Sequence, residues 1–155
     1  MTDHEKNIRD ALITLFEADA GLEAGGTLGV TKWWKRVEDG FLNRRTPFGY
    51  VEFQRRELDS ESSDIANVGY IYVYEVGVIA EAKSVDEYKA DDNVTELMDA
   101  VETVLIANRT VSGNVDNLAS PILKEFARGR APDIAGDVSW GVLTVGFKKQ
   151  ITART

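Results

Sequence analysis

Two stretches of the chain place apolar residues at helical spacing. The first predicts a helix over residues 3–18, opened by an acidic turn that suits the helix dipole, with its apolar side formed by Ile8, Leu12, Leu15 and Phe16. The second predicts a helix over residues 92–108, preceded by Asp91 and Asp92 as caps. Its apolar stripe consists of Val94, Leu97, Met98, Val101, Val104 and Leu105. Both patterns are typical of helices that cover a sheet with one face.

Alternating apolar positions predict three strands. They cover residues 48–56, 68–82 and 138–152. The middle strand is apolar on both faces, which favours a central place, with helices on one side and other material, such as a second subunit, on the other. Between the second helix and the last strand, the mixed sequence suggests a short strand over residues 110–115 and a helical turn after Pro121.

These elements predict one α+β domain over residues 1–155. Its sheet is mixed or mainly antiparallel, and its two principal helices pack on one face of that sheet. The polar start of the chain, Met1–Lys6, predicts no signal peptide, and no later segment is long and apolar enough to predict a membrane span. The absence of cysteine favours an intracellular origin.

The composition narrows the possible chemistry. The chain has no cysteine, and its single histidine, His4, lies next to the terminus, so no cysteine or histidine site is expected. The glycine-rich stretch from Gly25 to Gly29 lacks the Lys-Ser/Thr pair of a phosphate-binding loop. We therefore expect no enzyme activity, no cofactor and no metal ion.

Acidic residues gather in two places without forming a recognisable site. Asp59, Glu61 and Asp64 lack the glycine and the distal glutamate of a calcium-binding loop, so a solvated acidic loop is the better interpretation. The second group, which favours helix capping over paired catalytic carboxylates, consists of Asp86, Glu87, Asp91 and Asp92.

The charge is distributed in blocks. The net charge of −8 is the sum of −4 for residues 1–31, +4 for residues 32–56, −11 for residues 57–108 and +3 for residues 109–155. This pattern opposes general nucleic-acid binding. It agrees equally well with head-to-tail contact between copies and with charge pairing inside one fold.

Aromatic and basic residues interleave once, at Trp33 and Trp34. Because neighbouring residues of a strand point to opposite faces, one tryptophan can enter the core while the other meets a partner. Three interpretations remain open for this region: a partner interface, core packing, and a platform for single-stranded nucleic acid. The candidate interface residues are Trp33, Trp34, Lys35, Arg36, Arg44, Arg45, Arg128 and Arg130.

The order of elements resembles that of the tail-terminator, or tail-completion, proteins of long-tailed bacteriophages and related viruses. The resemblance rests on the first helix, the stretch Thr46-Pro47-Phe48-Gly49-Tyr50-Val51 leading into a strand, the long aromatic strand, the acidic second helix and the closing strand. The adjacent tryptophans and the long segment 109–137 depart from that pattern.

The resemblance implies a virion protein without enzyme activity that is assembled in the host cytoplasm. Copies of it form a ring, typically a hexamer, that ends the tail tube at the head–tail junction and meets the tail tube protein and a head-completion or neck protein. Genomic DNA passes through such a ring without specific binding, which favours an acidic lining; the candidates are Asp59, Glu61, Asp64 and Asp86. The alternative is a neck connector or small adaptor that binds nucleic acid or a partner through residues 33–45.

Overall fold

A computed structural model describes residues 4–35, 48–59, 70–84, 87–133 and 136–151. Its two helices are α1 (His4–Ala18) and α2 (Glu87–Ala107). Its five strands are β1 (Trp33–Trp34), β2 (Phe48–Leu58), β3 (Tyr70–Ser84), β4 (Asn117–Asp133) and β5 (Gly136–Ile151). The predicted α+β class is confirmed.

The five strands form one sheet in the order β1-β2-β3-β5-β4. All neighbours are antiparallel except β1 and β2, which run parallel over two residue pairs. The longest pairing joins β3 to β5 and extends from Tyr70–Ile151 to Ser84–Asp137. As the pattern predicts, β3 lies in the middle of the sheet.

Both helices cover the same face of the sheet, here called the helix face. Helix α1 contacts β1 and β2, α2 contacts β3 and β5, and the two helices touch each other. Between helices and sheet lies one continuous core, whose fully buried members include Ile8, Leu12, Phe16, Val51, Tyr74, Val78, Leu97, Val101, Leu143 and Phe147. Each aliphatic or phenylalanine side chain of this core stabilises the fold by about 1.5–3 kcal/mol.

The acidic residues before α2 do not all act as predicted. The helix begins at Glu87, so Asp91 and Asp92 lie inside it and are not its caps. The physical reason is a tertiary contact: the buried hydroxyl of Ser139 on β5 donates a hydrogen bond to the Asp91 carboxylate. That contact favours helix where the intrinsic preference of aspartate favours a helix end.

The segment after α2 also differs from its prediction. A turn occupies residues 108–114, and β4 takes the place of the predicted helical turn after Pro121. Val111, Ser112 and Gly113 all have positive φ, which ends the helix and reverses the chain. Pro121 falls where the β4–β5 register shifts, and it is tolerated because β4 is an edge strand.

Candidate functional site

Trp33 is part of the core. Its side chain is 3% exposed, and its indole ring packs against Phe16 with 4.8 Å between ring centroids. The indole Nε1–H donates a 2.7 Å hydrogen bond to the buried carbonyl oxygen of Leu22. Both halves of the side chain are therefore satisfied internally, the ring by α1 and the nitrogen by the turn that follows α1.

Gly49 on β2 makes room for this tryptophan. It pairs with Trp33 in the β1–β2 register, and its N–H donates to the Lys32 carbonyl at 3.2 Å. A Cβ atom at this position would lie 2.3 Å from Cζ3 of the indole ring. The two-residue strand β1 is thus held by a glycine that permits the ring to lie flat on β2. The inclusion of Trp33 among the interface candidates is corrected by this packing.

Trp34 pairs with Tyr50 and so occupies the opposite sheet face, here called the outer face. Tyr50 lies opposite Ile79 on β3, and Ile79 lies opposite Val142 on β5, so these residues form one line across the outer face. Burial raises the pKa of the Tyr50 hydroxyl to about 12, assisted by the carboxylates of Glu81 and Glu52. The outer face therefore has an apolar centre, in agreement with the expectation that β3 is apolar on both sides.

The outer face also carries an aromatic residue that sequence reasoning missed. Trp140 on β5 is 36% exposed and lies two residues before Val142, on the same face of the sheet. A signal was present, because Trp140 alternates with the core residues of β5 and so falls on its other side. Its exposure makes Trp140 a better candidate for partner contact than Trp33.

Lys35 borders a groove between α1 and the residues around β1. The groove has a volume of about 430 Å³ and is lined by Asp10, Ile13, Thr14, Glu17, Lys32, Trp33 and Lys35. The Lys35 ammonium lies 3.4 Å from the Asp10 carboxylate, which Arg9 also contacts at 3.1 Å. Burial raises the pKa of Asp10, but Arg9 and Lys35 outweigh it and leave that pKa below its usual value. Because the lining carries two carboxylates and two ammonium groups, the groove favours no ligand of a single sign.

A second ion pair lies on the outer face. Arg55 donates hydrogen bonds to the buried carboxylate of Glu75 from its Nε at 2.6 Å and from its Nη2 at 3.2 Å. The same Nη2 lies 3.4 Å from a carboxylate oxygen of Glu57. The hydrogen bond to Glu75 raises the pKa of Arg55 above its usual value. Part of the acidic block is therefore paired with the basic block inside the fold, one of the two readings that the charge pattern left open.

Several predicted residues lie outside the described part of the chain. They are Arg36, Arg44, Arg45, Glu61, Asp64 and Asp86. Asp59 is described: it directly follows β2, donates its N–H to the Ile71 carbonyl at 2.8 Å, and holds its carboxylate 3.6 Å from the Lys148 ammonium. The acidic pore lining stays a prediction.

Arg128 and Arg130 lie together on β4, the last strand of the sheet. Their register partners on β5 are Gly141 and Ser139, so both positions belong to the helix face. The structure thus separates the candidate basic residues: Lys35 lies beside β1 at one edge of the sheet, and the two arginines lie at the other.

The two sheet edges differ in charge as well as in position. The β1 and β2 side carries α1 and its following turn, where five acids outnumber Lys6 and Arg9: Glu5, Asp10, Glu17, Asp19 and Glu23. The β4 side carries Lys124, Arg128 and Arg130 against Glu125 and Asp133. Helix α1 with its following turn therefore carries a net charge of −3, which Lys32 and Lys35 beside β1 reduce to −1, and the charges of β2 cancel. Strand β4 carries +1.

No protein-family model matches this chain, and a search of curated proteins finds no match. Among the described residues, no helix is long and apolar enough to cross a membrane. The same residues contain no group of three or more histidine, cysteine, aspartate or glutamate side chains placed to hold a metal ion.

Proposed function

We propose that the chain is a structural subunit that assembles with copies of itself into a six-fold ring, in the manner of tail terminators, at the end of a viral tail tube. The ring stops growth of the tube and offers the surface to which a head-completion or neck protein binds. Genomic DNA passes through its centre.

The observation that carries this proposal is that the two sheet edges are different surfaces: the acidic helix α1 flanks β1 and β2, and β4, with Arg128 and Arg130, forms the other edge. A ring of identical subunits needs two different patches on each copy, one of which meets the other on the next copy. The acidic helix α1 beside β1 and β2 and the β4 edge with Arg128 and Arg130 are such a pair. Opposite charges also orient the encounter between copies and oppose wrong pairings.

The test combines light scattering with electron microscopy. The purified protein is measured alone over a range of concentrations, and then with tubes assembled from the tail tube protein of the same genome. Closed rings, alone or on tube ends, with tubes that stop growing support the proposal. A chain that stays monomeric in both settings and leaves tube growth unchanged contradicts it.

The nucleic-acid alternative receives less support from the described residues. Its aromatic platform requires an accessible ring, and Trp33 is buried with its indole nitrogen already bonded. Retention of single- or double-stranded DNA at 50 mM salt, with loss of binding as salt rises, would favour that alternative.

A further inference from the structure

The outer side of β2 is an open hydrogen-bonding edge. The N–H of Gly49 points away from β3, toward Lys32, whereas the N–H of Asp59 points toward β3 and bonds to Ile71. Along a strand, the backbone N–H and C=O groups of alternate residues point to the same side. Counting in steps of two from Gly49 and from Asp59, with Gln54 as the extra residue of the bulge, shows which groups point away from β3. They belong to Val51, Phe53, Arg56 and Leu58. Strand β1 covers only Gly49 and Tyr50, so within the described residues no strand pairs with these four.

The other open edge is the outer side of β4. Strand β4 is the last strand of the described sheet, and its regular pairing with β5 runs from Glu125 to Asp133. Eight residues of β2, Val51 to Leu58, span about 27 Å, and this part of β4 is of similar length. The two edges therefore match in extent.

Strand directions make the two edges compatible. Three antiparallel steps separate β2 from β4, through β3 and β5, so β2 and β4 run in opposite directions. When copies follow one another in the same orientation, β2 of one copy meets β4 of the next as an antiparallel pair. That is the arrangement with the straighter hydrogen bonds.

Charge favours the same juxtaposition. On the helix face, α1 packs over β1 and β2, and its exposed surface includes Glu17. Arg128 and Arg130 occupy helix-face positions on β4. In a continuous sheet these two positions fall on the same face as α1 of the neighbouring copy.

From these observations we propose that a second copy of this chain adds its β4 to the outer edge of β2, so that the sheet continues from subunit to subunit. The inference rests on the proposed ring and names the surface by which the ring closes. The recognising chemistry is a row of backbone hydrogen bonds flanked by opposite charges.

The first test compares Arg56→Pro with Arg56→Ala. Proline removes one outward N–H and leaves the inward bonds to β3, whereas alanine removes the same side chain and keeps the N–H. We expect rings from the wild type and from the alanine variant, and at least a tenfold loss of assembly for the proline variant. Circular dichroism and the unfolding midpoint check that the proline variant is folded.

Amide hydrogen exchange on the wild type provides a second test that needs no variant. In the ring, exchange at Phe53, Arg56 and Leu58 should slow at least tenfold relative to the monomer. The amides of Glu57 and Asp59 face β3 and should be protected equally in both states. They are the internal control.

The outcomes separate this inference from the function on which it rests. Rings from a folded Arg56→Pro variant, or rings without added protection at the three outward amides, overturn the edge pairing and leave the ring function intact. Equal loss of assembly by both Arg56 variants assigns the contact to the side chain and also overturns it. A wild type that forms no ring, alone or on tubes, overturns both.

Discussion

Removal of the Trp33 side chain gives the clearest measure of how β1 is held. Truncation of a buried tryptophan to alanine costs about 3–5 kcal/mol. The bond from the indole to Leu22 is lost as well, which leaves a buried carbonyl oxygen without its donor. We therefore expect Trp33→Ala to fall at the upper end of that range, a large part of the stability of an ordinary domain.

The two contributions separate with a second variant. Trp33→Phe keeps a ring beside Phe16 but removes the N–H donor and part of the buried ring volume, so we expect a loss of about 1–3 kcal/mol, smaller than for Trp33→Ala. Trp140→Ala is the matched control, since its side chain is 36% exposed and its loss should cost much less. Trp34→Ala should also differ from Trp33→Ala and act mainly on assembly.

Urea unfolding followed by circular dichroism is the suitable assay, because removal of a tryptophan alters the fluorescence itself. The slope of the unfolding free energy against urea should stay unchanged, which shows that the midpoint reports stability. A loss below about 1 kcal/mol for Trp33→Ala, or equal losses for Trp33→Ala and Trp140→Ala, would refute the reasoning from burial and hydrogen bonding.

Three further predictions use the same unfolding assay. Gly49→Ala should destabilise the fold by about 1–3 kcal/mol because its Cβ meets the buried Trp33 ring, whereas Gly77→Ala meets only the flexible glutamine of β2 and should cost little; equal costs would contradict this. Ser112→Gly should stabilise by about 0.5–1 kcal/mol, because Ser112 has a φ of 55°; unchanged or lower stability would show that the turn is not strained there. Because burial raises the pKa of Tyr50 to about 12 from 10.0, the unfolded chain loses this proton first as pH rises between those values, and stability falls; Tyr50→Phe should retain more of its stability from pH 9 to 11.5, and parallel losses would refute the assignment.

Periodicity predicted the parts of the fold that bury one face. The apolar residues of α1 recur at helical spacing, and those of β2, β3 and β5 alternate with polar ones or occupy both faces. These patterns are regular enough to place the four elements from the sequence. Strand β4 was missed because Pro121, Gly129 and Pro132 interrupt its pattern. Those residues are tolerated because the strand lies at an edge, which depends on its pairing with β5 and not on its own sequence.

The site was predicted less completely than the fold, for a related reason. Adjacency predicted that Trp33 and Trp34 take opposite faces, but the choice of which one enters the core depends on Gly49, a neighbour only in three dimensions. The charge difference between the sheet edges also required the strand order. The charge blocks along the sequence reflect both the charge difference between the edges and the internal Arg55–Glu75 pair. Only the fold shows which charges pair internally and which lie at an edge.

The place of β5 between β3 and β4 has a consequence for the order in which the chain folds. Tyr74 and Phe147 are register partners although 73 residues separate them, so the central pairing closes a long loop. Contacts of this separation slow folding, because the closure entropy is lost before the contact stabilises the chain. During synthesis, β3, α2 and β4 are all made before β5. The pairings of β3 and β4 with β5 therefore cannot form until β5 has been synthesised. An unfinished chain therefore cannot present the β4 edge, so in the proposed ring only a subunit with a completed core is able to join its neighbours.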